Sequence, residues 1–333
     1  MALIQTRRRF LAALASAGAA GLVRAPLACA AEGAFETTTV RLVKAPDICV
    51  APQYVAEQLL RTEGFTDVRY VDVPTPTAQW IARGEVDFSF GYAPALLTAV
   101  DAGGPIVILA GMMVGCVEVF AHEDIRSIAD LKGRSVGIEF IGATPHVLLS
   151  IMAAQIGLDP VSDIRWITGS KVDPMQLFVN GKVDAFVGSP PWSLKLRERQ
   201  IGHVILTMAT DRPWSQYFCC MLGGRREYVR NHPVATKRVL RAILKATDLC
   251  ATEPEQAARR LVEGGFTPRY DFALQTLSEN PYDKWREYDA EDTIRFYALG
   301  MREAGFIKSS PQTIIAKGTD WRFLEELKTE LKS

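Results

Sequence analysis

The sequence lacks an excess of positive charge, which excludes a nucleic-acid-binding surface as its main feature. The whole chain has 38 basic and 38 acidic residues, and residues 1–30 hold four of the arginines and no acidic residue. Residues 31–333 therefore carry 34 basic against 38 acidic residues, a formal charge of −4. After residue 30 the sequence also lacks any apolar run close to the roughly 20 residues that span a bilayer. These absences predict a soluble protein that does not bind nucleic acid.

The cysteines lack the spacing that is typical of a metal site. Of the six in the chain, five lie after the first 30 residues, namely Cys49, Cys116, Cys219, Cys220 and Cys250. Cys219 and Cys220 are neighbours in the strand-like run YFCCML, where successive side chains point to opposite faces, so a disulfide between them is geometrically poor. We expect buried free thiols, no metal ion and no cofactor.

Residues 1–30 have the pattern of an export signal, with a basic head, an apolar stretch over residues 11–23 and a tail of small residues. The run TRRRFL (residues 6–11) resembles a twin-arginine signal. Cleavage is expected after the A-x-A pattern at Ala28–Ala30. A lipid-modified Cys29 is the alternative. Either outcome predicts a periplasmic location.

Strand patterns alternate with helix patterns in two successive stretches, which predicts two lobes with largely parallel sheets and crossover helices. The apolar run Ile106–Ile125 is expected to form one or two strands at the first crossing between the lobes. The sequence from Asn231 onward is mostly helical and is expected to pack on the first lobe. The predicted division is residues 31–115 and 215–333 for lobe I and residues 116–214 for lobe II.

One motif occurs twice, as GEVDFSFGYAP from Gly84 and as GKVDAFVGSPP from Gly181, an offset of 97 residues. In each copy Gly-x-Val-Asp is expected to end a helix and begin a strand. Asp87 and Asp184 are then predicted to bind local backbone and to have no catalytic role. The far end of each copy reaches the carboxyl edge of a sheet, where ligands of open α/β sheets bind.

The repeated motif, the phrase IRSIADLKGRSVGI (residues 125–138), the export signal and the helical C-terminus together resemble periplasmic substrate-binding proteins of ABC importers. More narrowly, the chain resembles the nitrate, sulfonate and taurine (NitT/TauT) group, which shares its fold with thiamine-pyrimidine synthases. The resemblance implies an α/β fold of the type 2 periplasmic-binding-protein class, with two lobes joined by two hinge crossings. It also implies a monomer that closes on a small-molecule ligand and delivers it to an inner-membrane permease and ATPase.

Ligand contacts are expected in loops at the carboxyl edges of the two sheets. The predicted ligand-binding residues are Asp47, Ile48, Cys49, Thr77, Gly91, Tyr92, Gly142, Ala143, Thr144, His146, Ser189, Pro190 and Trp192. Thr144 is expected to cap a helix that starts at Pro145. The free N–H groups at this helix start either bind an anionic group of the ligand or are simply part of a capped helix end. His146 is either a ligand contact or a packed histidine. Tyr92 and Trp192 either sandwich a planar ligand or pack in the core.

The predicted ligand residues include no arginine, which favours an organic ligand that is aromatic or carries at most one anionic group. A doubly charged anion such as sulfate is disfavoured. The alternative is an enzyme of the same fold that uses Cys49, such as an aryl sulfinate desulfinase or a thiamine-pyrimidine synthase-like protein. Aryl sulfinate desulfinases of the same fold use a cysteine nucleophile in a loop comparable to that of Cys49. Such an enzyme also needs a positioned histidine, and residues 31–101 contain none. We therefore predict a binding protein that is not an enzyme.

Overall fold

Two five-stranded sheets organise the chain. The computed structural model describes residues 33–74, 78–169 and 173–332, so the predicted export signal and Thr77 lie outside the described residues. The first sheet has the strand order β2-β1-β3-β10-β4, and the second has the order β7-β6-β8-β5-β9. The strands are β1 (Thr39–Lys44), β2 (Asp67–Asp72), β3 (Phe88–Tyr92), β4 (Ile106–Val114), β5 (Glu118–Ala121), β6 (Ser135–Gly137), β7 (Arg165–Ile167), β8 (Ala185–Gly188), β9 (His203–Thr207) and β10 (Phe218–Arg225).

The two sheets have the same internal plan. In the first, β1 pairs in parallel with β2 and β3, and β10 runs antiparallel between β3 and β4. In the second, β6 pairs in parallel with β7 and β8, and β5 runs antiparallel between β8 and β9. The repeated motif supplies β3 and β8, which are the central strands of their sheets. Each sheet thus contains one strand, β10 or β5, that runs antiparallel to its neighbours. The sheets are therefore mixed, and not largely parallel as the sequence predicted.

The chain passes between the sheets twice. The predicted run Ile106–Ile125 forms two strands, β4 in the first sheet and β5 in the second. The return occurs between β9 and β10, through a short 3₁₀ turn at Trp214–Gln216. Each crossing delivers the antiparallel strand of the sheet that it enters.

The helices connect the strands and then form the C-terminal part. They are α1 (Ala51–Val55), α2 (Glu57–Thr62), α3 (Ala78–Ala82), α4 (Ala93–Asp101), α5 (Thr144–Gln155), α6 (Pro174–Val179), α7 (Trp192–Glu198), α8 (Arg226–Asn231), α9 (Pro233–Thr252), α10 (Pro254–Glu263), α11 (Tyr270–Glu279), α12 (Ala290–Glu303), α13 (Pro311–Gly318) and α14 (Arg322–Glu330). Helix α9 packs against α1 and α2, and α13 packs against β4, so the C-terminal helices cover the first sheet. Within the described residues, no helix is long and apolar enough to cross a bilayer.

Strand β4 shows why a nearly continuous apolar run suits the centre of this fold. All nine of its residues are buried, because helices cover both faces of the sheet. Gly111 permits the ring of Phe218 to lie against the strand, since a Cβ at this position would be only 2.0 Å from that ring. A missing side chain on one strand thus makes room for an aromatic ring on its neighbour.

The carboxylates of the two motif aspartates bind a neighbouring strand. Asp87 Oδ2 accepts hydrogen bonds from the backbone N–H of Arg41 at 2.9 Å and from its Nε at 3.1 Å, and Arg225 Nη2 lies 3.2 Å from Asp87 Oδ1. Asp184 Oδ2 accepts from the backbone N–H of Ser135 at 2.7 Å and from its hydroxyl. The expectation that the carboxylates bind local backbone is wrong, because the parallel neighbouring strand places its own N–H opposite each carboxylate. Each aspartate joins the central strand to the next strand.

Candidate functional site at the carboxyl edges of the two sheets

The far ends of the two motif copies meet. Tyr92 Oη lies 3.0 Å from Ser189 Oγ, and these residues are 97 apart in sequence, which is the offset of the repeat itself. Tyr92 ends β3 of the first sheet, and Ser189 follows β8 of the second. Equivalent positions of the two copies therefore bind each other across the two sheets.

Asp47 completes a group of three polar side chains. Its Oδ1 atom lies 3.3 Å from Tyr92 Oη and 3.4 Å from Ser189 Oγ. Only 4% of Asp47 is exposed, and burial raises the pKa of its carboxyl to about 7, although hydrogen bonds from Tyr92 and Ser189 act in the opposite direction. Next to it, the backbone N–H of Ile48 donates to the carbonyl oxygen of Pro190 at 3.3 Å. Five of the predicted ligand residues thus form a direct bridge between the sheets.

Cys49 lies beside this bridge. It is in a 3₁₀ turn at Ile48–Val50 that follows β1, and its Sγ atom is 3.9 Å from Tyr92 Oη. The thiol is fully buried. The adjacent Cys116 thiol and burial raise its pKa well above the ordinary value, so Cys49 is a protonated thiol at neutral pH.

The loop before α5 differs from the expected capping arrangement. The helix begins at Thr144 with Ala143 in the N-cap position, and no side chain caps it, so the prediction that Thr144 caps a helix from Pro145 is wrong. Gly142 has φ +92°, which turns the chain into the helix. Its N–H donates to His146 Nδ1 at 3.0 Å.

His146 is a packed residue in this structure. It is 6% exposed, and its ring meets those of Trp166 and Phe306 edge to face, with centroids 4.5 and 5.2 Å away. Burial lowers its pKa. Of the two uses left open for this residue, the geometry favours packing, and its role in ligand binding stays a prediction.

Two other predicted residues lie in packed positions. Gly91 is inside β3, where a Cβ would come within 3.2 Å of the Leu96 side chain. Trp192, the first residue of α7, packs against the apolar cluster of the second sheet that includes Phe178 and Phe186. Core packing is therefore the observed role of Trp192, and a sandwich with Tyr92 around a ligand stays a prediction.

Ion pairs join the second sheet's helix α7 to the C-terminal helices, and the sequence offered no local signal for them. Arg197 Nη1 lies 2.9 Å from Glu279 Oε2, and Arg197 also pairs with the buried Glu118 of β5. Glu198 Oε1 lies 2.8 Å from Arg269 Nη2. Their partners are 71 to 82 residues distant in sequence, so only the fold reveals them.

Two open concavities lie away from this bridge. One, of about 720 Å³, is lined by residues that include His122, Arg126 and His203. The other, of about 250 Å³, is lined by residues that include Tyr217 and Tyr288. Among the described residues, no predicted ligand residue lines either concavity. At the bridge itself the two sheets are in direct contact.

Known proteins with similar sequences include a protein of Brucella abortus (strain 2308) named as a binding protein, 29% identical over 180 residues that cover 53% of this chain and 55% of the relative. The nitrate/nitrite binding protein NrtA of Nostoc sp. is 25% identical over 244 residues, 65% of this chain and 54% of the relative. The chain thus spans about half the length of these relatives.

Solved structures show the same fold at low sequence identity. The periplasmic nitrate-binding protein NrtA from Synechocystis PCC 6803 has a TM-score of 0.72 at 18% identity, with 90% of each chain covered. The alkanesulfonate-binding protein SsuA from Xanthomonas axonopodis pv. citri, bound to MOPS, has a TM-score of 0.71 at 17% identity, covering 86% of this chain and all of the other. The desulfurization enzyme DSZB has a TM-score of 0.60 at 15% identity, covering 88% of this chain and 99% of the other.

The predicted fold class is therefore confirmed as that of type 2 periplasmic binding proteins. Residues 33–263 match the model of the NMT1-like family, and the chain belongs to that family.

Proposed function

We propose that this protein is the extracytoplasmic solute-binding component of an ABC import system. It binds a small organic ligand between two lobes. Lobe I comprises residues 31–115 and 215–333, and lobe II comprises residues 116–214. The bridge of Asp47, Tyr92 and Ser189 is the observation that carries the proposal. It lies at the carboxyl edges of both sheets, where contacts to one ligand reach both lobes at once.

Ligand binding would then act on an equilibrium between open and closed lobes. A ligand that contacts both lobes only in the closed form shifts the population toward that form. The contacts between Tyr92 and Ser189 and between Ile48 and Pro190 support the proposal that these surfaces meet on closure. A permease and an ATPase in the inner membrane are the partners that this role requires.

The charges at the bridge favour a ligand with at most one anionic group. The buried acidic group is Asp47, and the exposed Glu139 lies near enough to raise the pKa of Asp47 further. No arginine is among the predicted ligand residues. A multiply charged anion would meet repulsion there without a compensating guanidinium.

The ligand class can be tested by melting the protein in the presence of sulfonates, aromatic carboxylates, pyrimidines and nitrate. A true ligand at a hundredfold excess over its Kd adds about 2.7 kcal/mol of stability. Small-angle scattering should then show a smaller radius of gyration. The proposal fails if no member of a broad panel stabilises the protein and the scattering never shows compaction.

Tyr92→Phe tests the bridge, because it keeps the ring and removes only the hydroxyl. We expect affinity for the identified ligand to fall about tenfold, which corresponds to about 1.4 kcal/mol. Tyr228→Phe is the matched control, since its hydroxyl donates to the carbonyl of Thr39 at 3.0 Å, at the opposite end of β1. Equal affinities in the two variants would show that the bridge does not hold the ligand.

The structure offers little support for an enzyme that uses Cys49 as a nucleophile. Nucleophilic attack requires a thiolate, and the pKa of Cys49 is raised well above its ordinary range by Cys116 and by burial. Alkylation with iodoacetamide decides the matter. If it abolished a measured turnover of aryl sulfinates by modifying Cys49, the binding proposal would be replaced by catalysis.

A further inference from the structure

Three cysteines that are far apart in sequence converge in the interior. Cys49 comes from the turn after β1, Cys116 from the crossing between β4 and β5, and Cys220 from β10. Their Sγ atoms all lie within 4.8 Å of one another, and all three residues are buried. A fourth thiol, that of Cys219, lies 3.7 Å from Cys116 Sγ. We call Cys49, Cys116 and Cys220 the thiol cluster.

The backbone holds the thiol cluster in place. Cys116 has φ +68°, an unfavourable conformation for a residue with a side chain, and its N–H donates to Asn280 Oδ1 at 2.6 Å. The carbonyl of Cys49 accepts a hydrogen bond from Tyr282 Oη at 3.0 Å. The sulfur atoms are thus positioned by groups that lie outside the cluster.

An irregularity in β10 brings two adjacent cysteines to one neighbour. The pairing of β10 with β4 shifts register between Phe218 and Cys220 and again between Cys220 and Met221. Such a bulge interrupts the usual alternation of side chains. Cys219 and Cys220 therefore both interact with Cys116, although neighbours in a regular strand would point apart.

We propose that the thiol cluster is a binding site for a soft, thiophilic metal ion such as Cu(I). Sulfur ligands select soft ions and exclude hard ions such as Ca²⁺ and Mg²⁺, which require oxygen. A metal–sulfur bond of about 2.3 Å places two ligand sulfurs about 3.8 Å apart. The thiol cluster therefore needs to contract by about 1 Å at most.

The proton balance of the site is simple. Each thiol that becomes a ligand releases its proton to solvent, and the metal replaces it. No electron is transferred. Cu(I) carries one positive charge, so it offsets the charge of one thiolate that this environment would otherwise keep protonated.

The test is a titration of the purified, reduced full-length protein with Cu(I) under anaerobic conditions, in competition with a colorimetric Cu(I) chelator. We expect one tightly bound Cu(I) per chain, with ultraviolet absorption from sulfur-to-copper charge transfer. Cys116→Ser and Cys49→Ser should each weaken binding at least a hundredfold. Cys250→Ser is the matched control, because Cys250 is equally buried in α9 and lies outside the thiol cluster.

The melting temperature of each variant without metal shows whether it folds, and Cys220→Ser replaces any variant that does not. Equal Cu(I) affinity in Cys116→Ser and Cys250→Ser would overturn the proposal, as would a wild type that binds no Cu(I). A disulfide between Cys116 and Cys219 in protein taken directly from the periplasm would also overturn it, since the oxidised pair could not hold the ion. The solute panel plays no part in this test, so its failure and that of the proposed function are distinguishable.

Discussion

Asp87 is the buried carboxylate that ties the repeated motif of the first sheet to its neighbours. It accepts the backbone N–H of Arg41, two guanidinium hydrogen bonds from the same residue, and one from Arg225. Its side chain is 3% exposed, whereas those of the two arginines are 29% and 24% exposed. Asp87→Asn keeps an oxygen for the backbone N–H but removes the negative charge.

The expected cost follows from that geometry. Removing one partner of a buried ion pair costs about 3–5 kcal/mol. The partial exposure of Arg41 and Arg225 allows their guanidinium groups to regain water, so we expect about 2–4 kcal/mol for Asp87→Asn. Denaturant unfolding at pH 7 measures this value as a shift of the midpoint at constant slope.

The second copy of the motif supplies a matched control. Asp184 binds Ser135 through its backbone N–H and its hydroxyl, its side chain is 31% exposed, and the nearest charged atom of Arg134 is 3.8 Å away. Asp184→Asn should cost only about 1–2 kcal/mol, because hydrogen bonds and not a buried ion pair are lost. If Asp184→Asn proves the more destabilising of the two, the assignment of the buried charge pair to the first copy is refuted.

Three further predictions concern other parts of the molecule. Burial lowers the pKa of His146. The contribution of His146 to stability is therefore complete above 6.5, its pKa in the unfolded chain, and is lost as pH falls through the lower pKa of the folded protein. His146→Asn, which can still accept the N–H of Gly142, should flatten the loss of stability as pH falls below 6.5. An unchanged slope would contradict this origin. Arg197→Ala removes the ion pair with Glu279 and should increase the radius of gyration of the ligand-free protein. Identical scattering curves for the variant and the wild type would show that this ion pair does not hold the lobes together. Gly111→Ala places a Cβ 2.0 Å from the ring of Phe218 and should lower the free energy of unfolding by about 1–3 kcal/mol, as measured with denaturant. An unchanged free energy of unfolding would mean that the ring has room to move.

Local signals in the sequence were sufficient for most of the elements. The apolar run Ile106–Ile125 predicted strands at the first crossing, and the structure confirms β4 and β5 there. Helix α13 lies in the part that was expected to be mostly helical, and Ser310 and Pro311 carry the ordinary start signal, with Ser310 accepting the N–H of Thr313.

The candidate site was predictable only in part. The repeat located Tyr92 and Ser189, because the carboxyl ends of parallel strands share an edge. The packing of His146 against Trp166 and Phe306 depends on residues 20 and 160 positions away, and no local pattern announces such contacts. The same limit hid the Arg197 ion pairs.

The sequence by itself determined the α/β class, the two crossings and the duplicated strand, because these depend on periodicity and turn residues that act over a few positions. Only the tertiary structure decided that the two motif copies touch through Tyr92 and Ser189 and that Cys49, Cys116 and Cys220 share one interior space. Those contacts join segments 67 to 171 residues apart, where chain folding and not local preference sets the distance. The repeated motif thus indicated two halves, and the fold showed which atoms connect them.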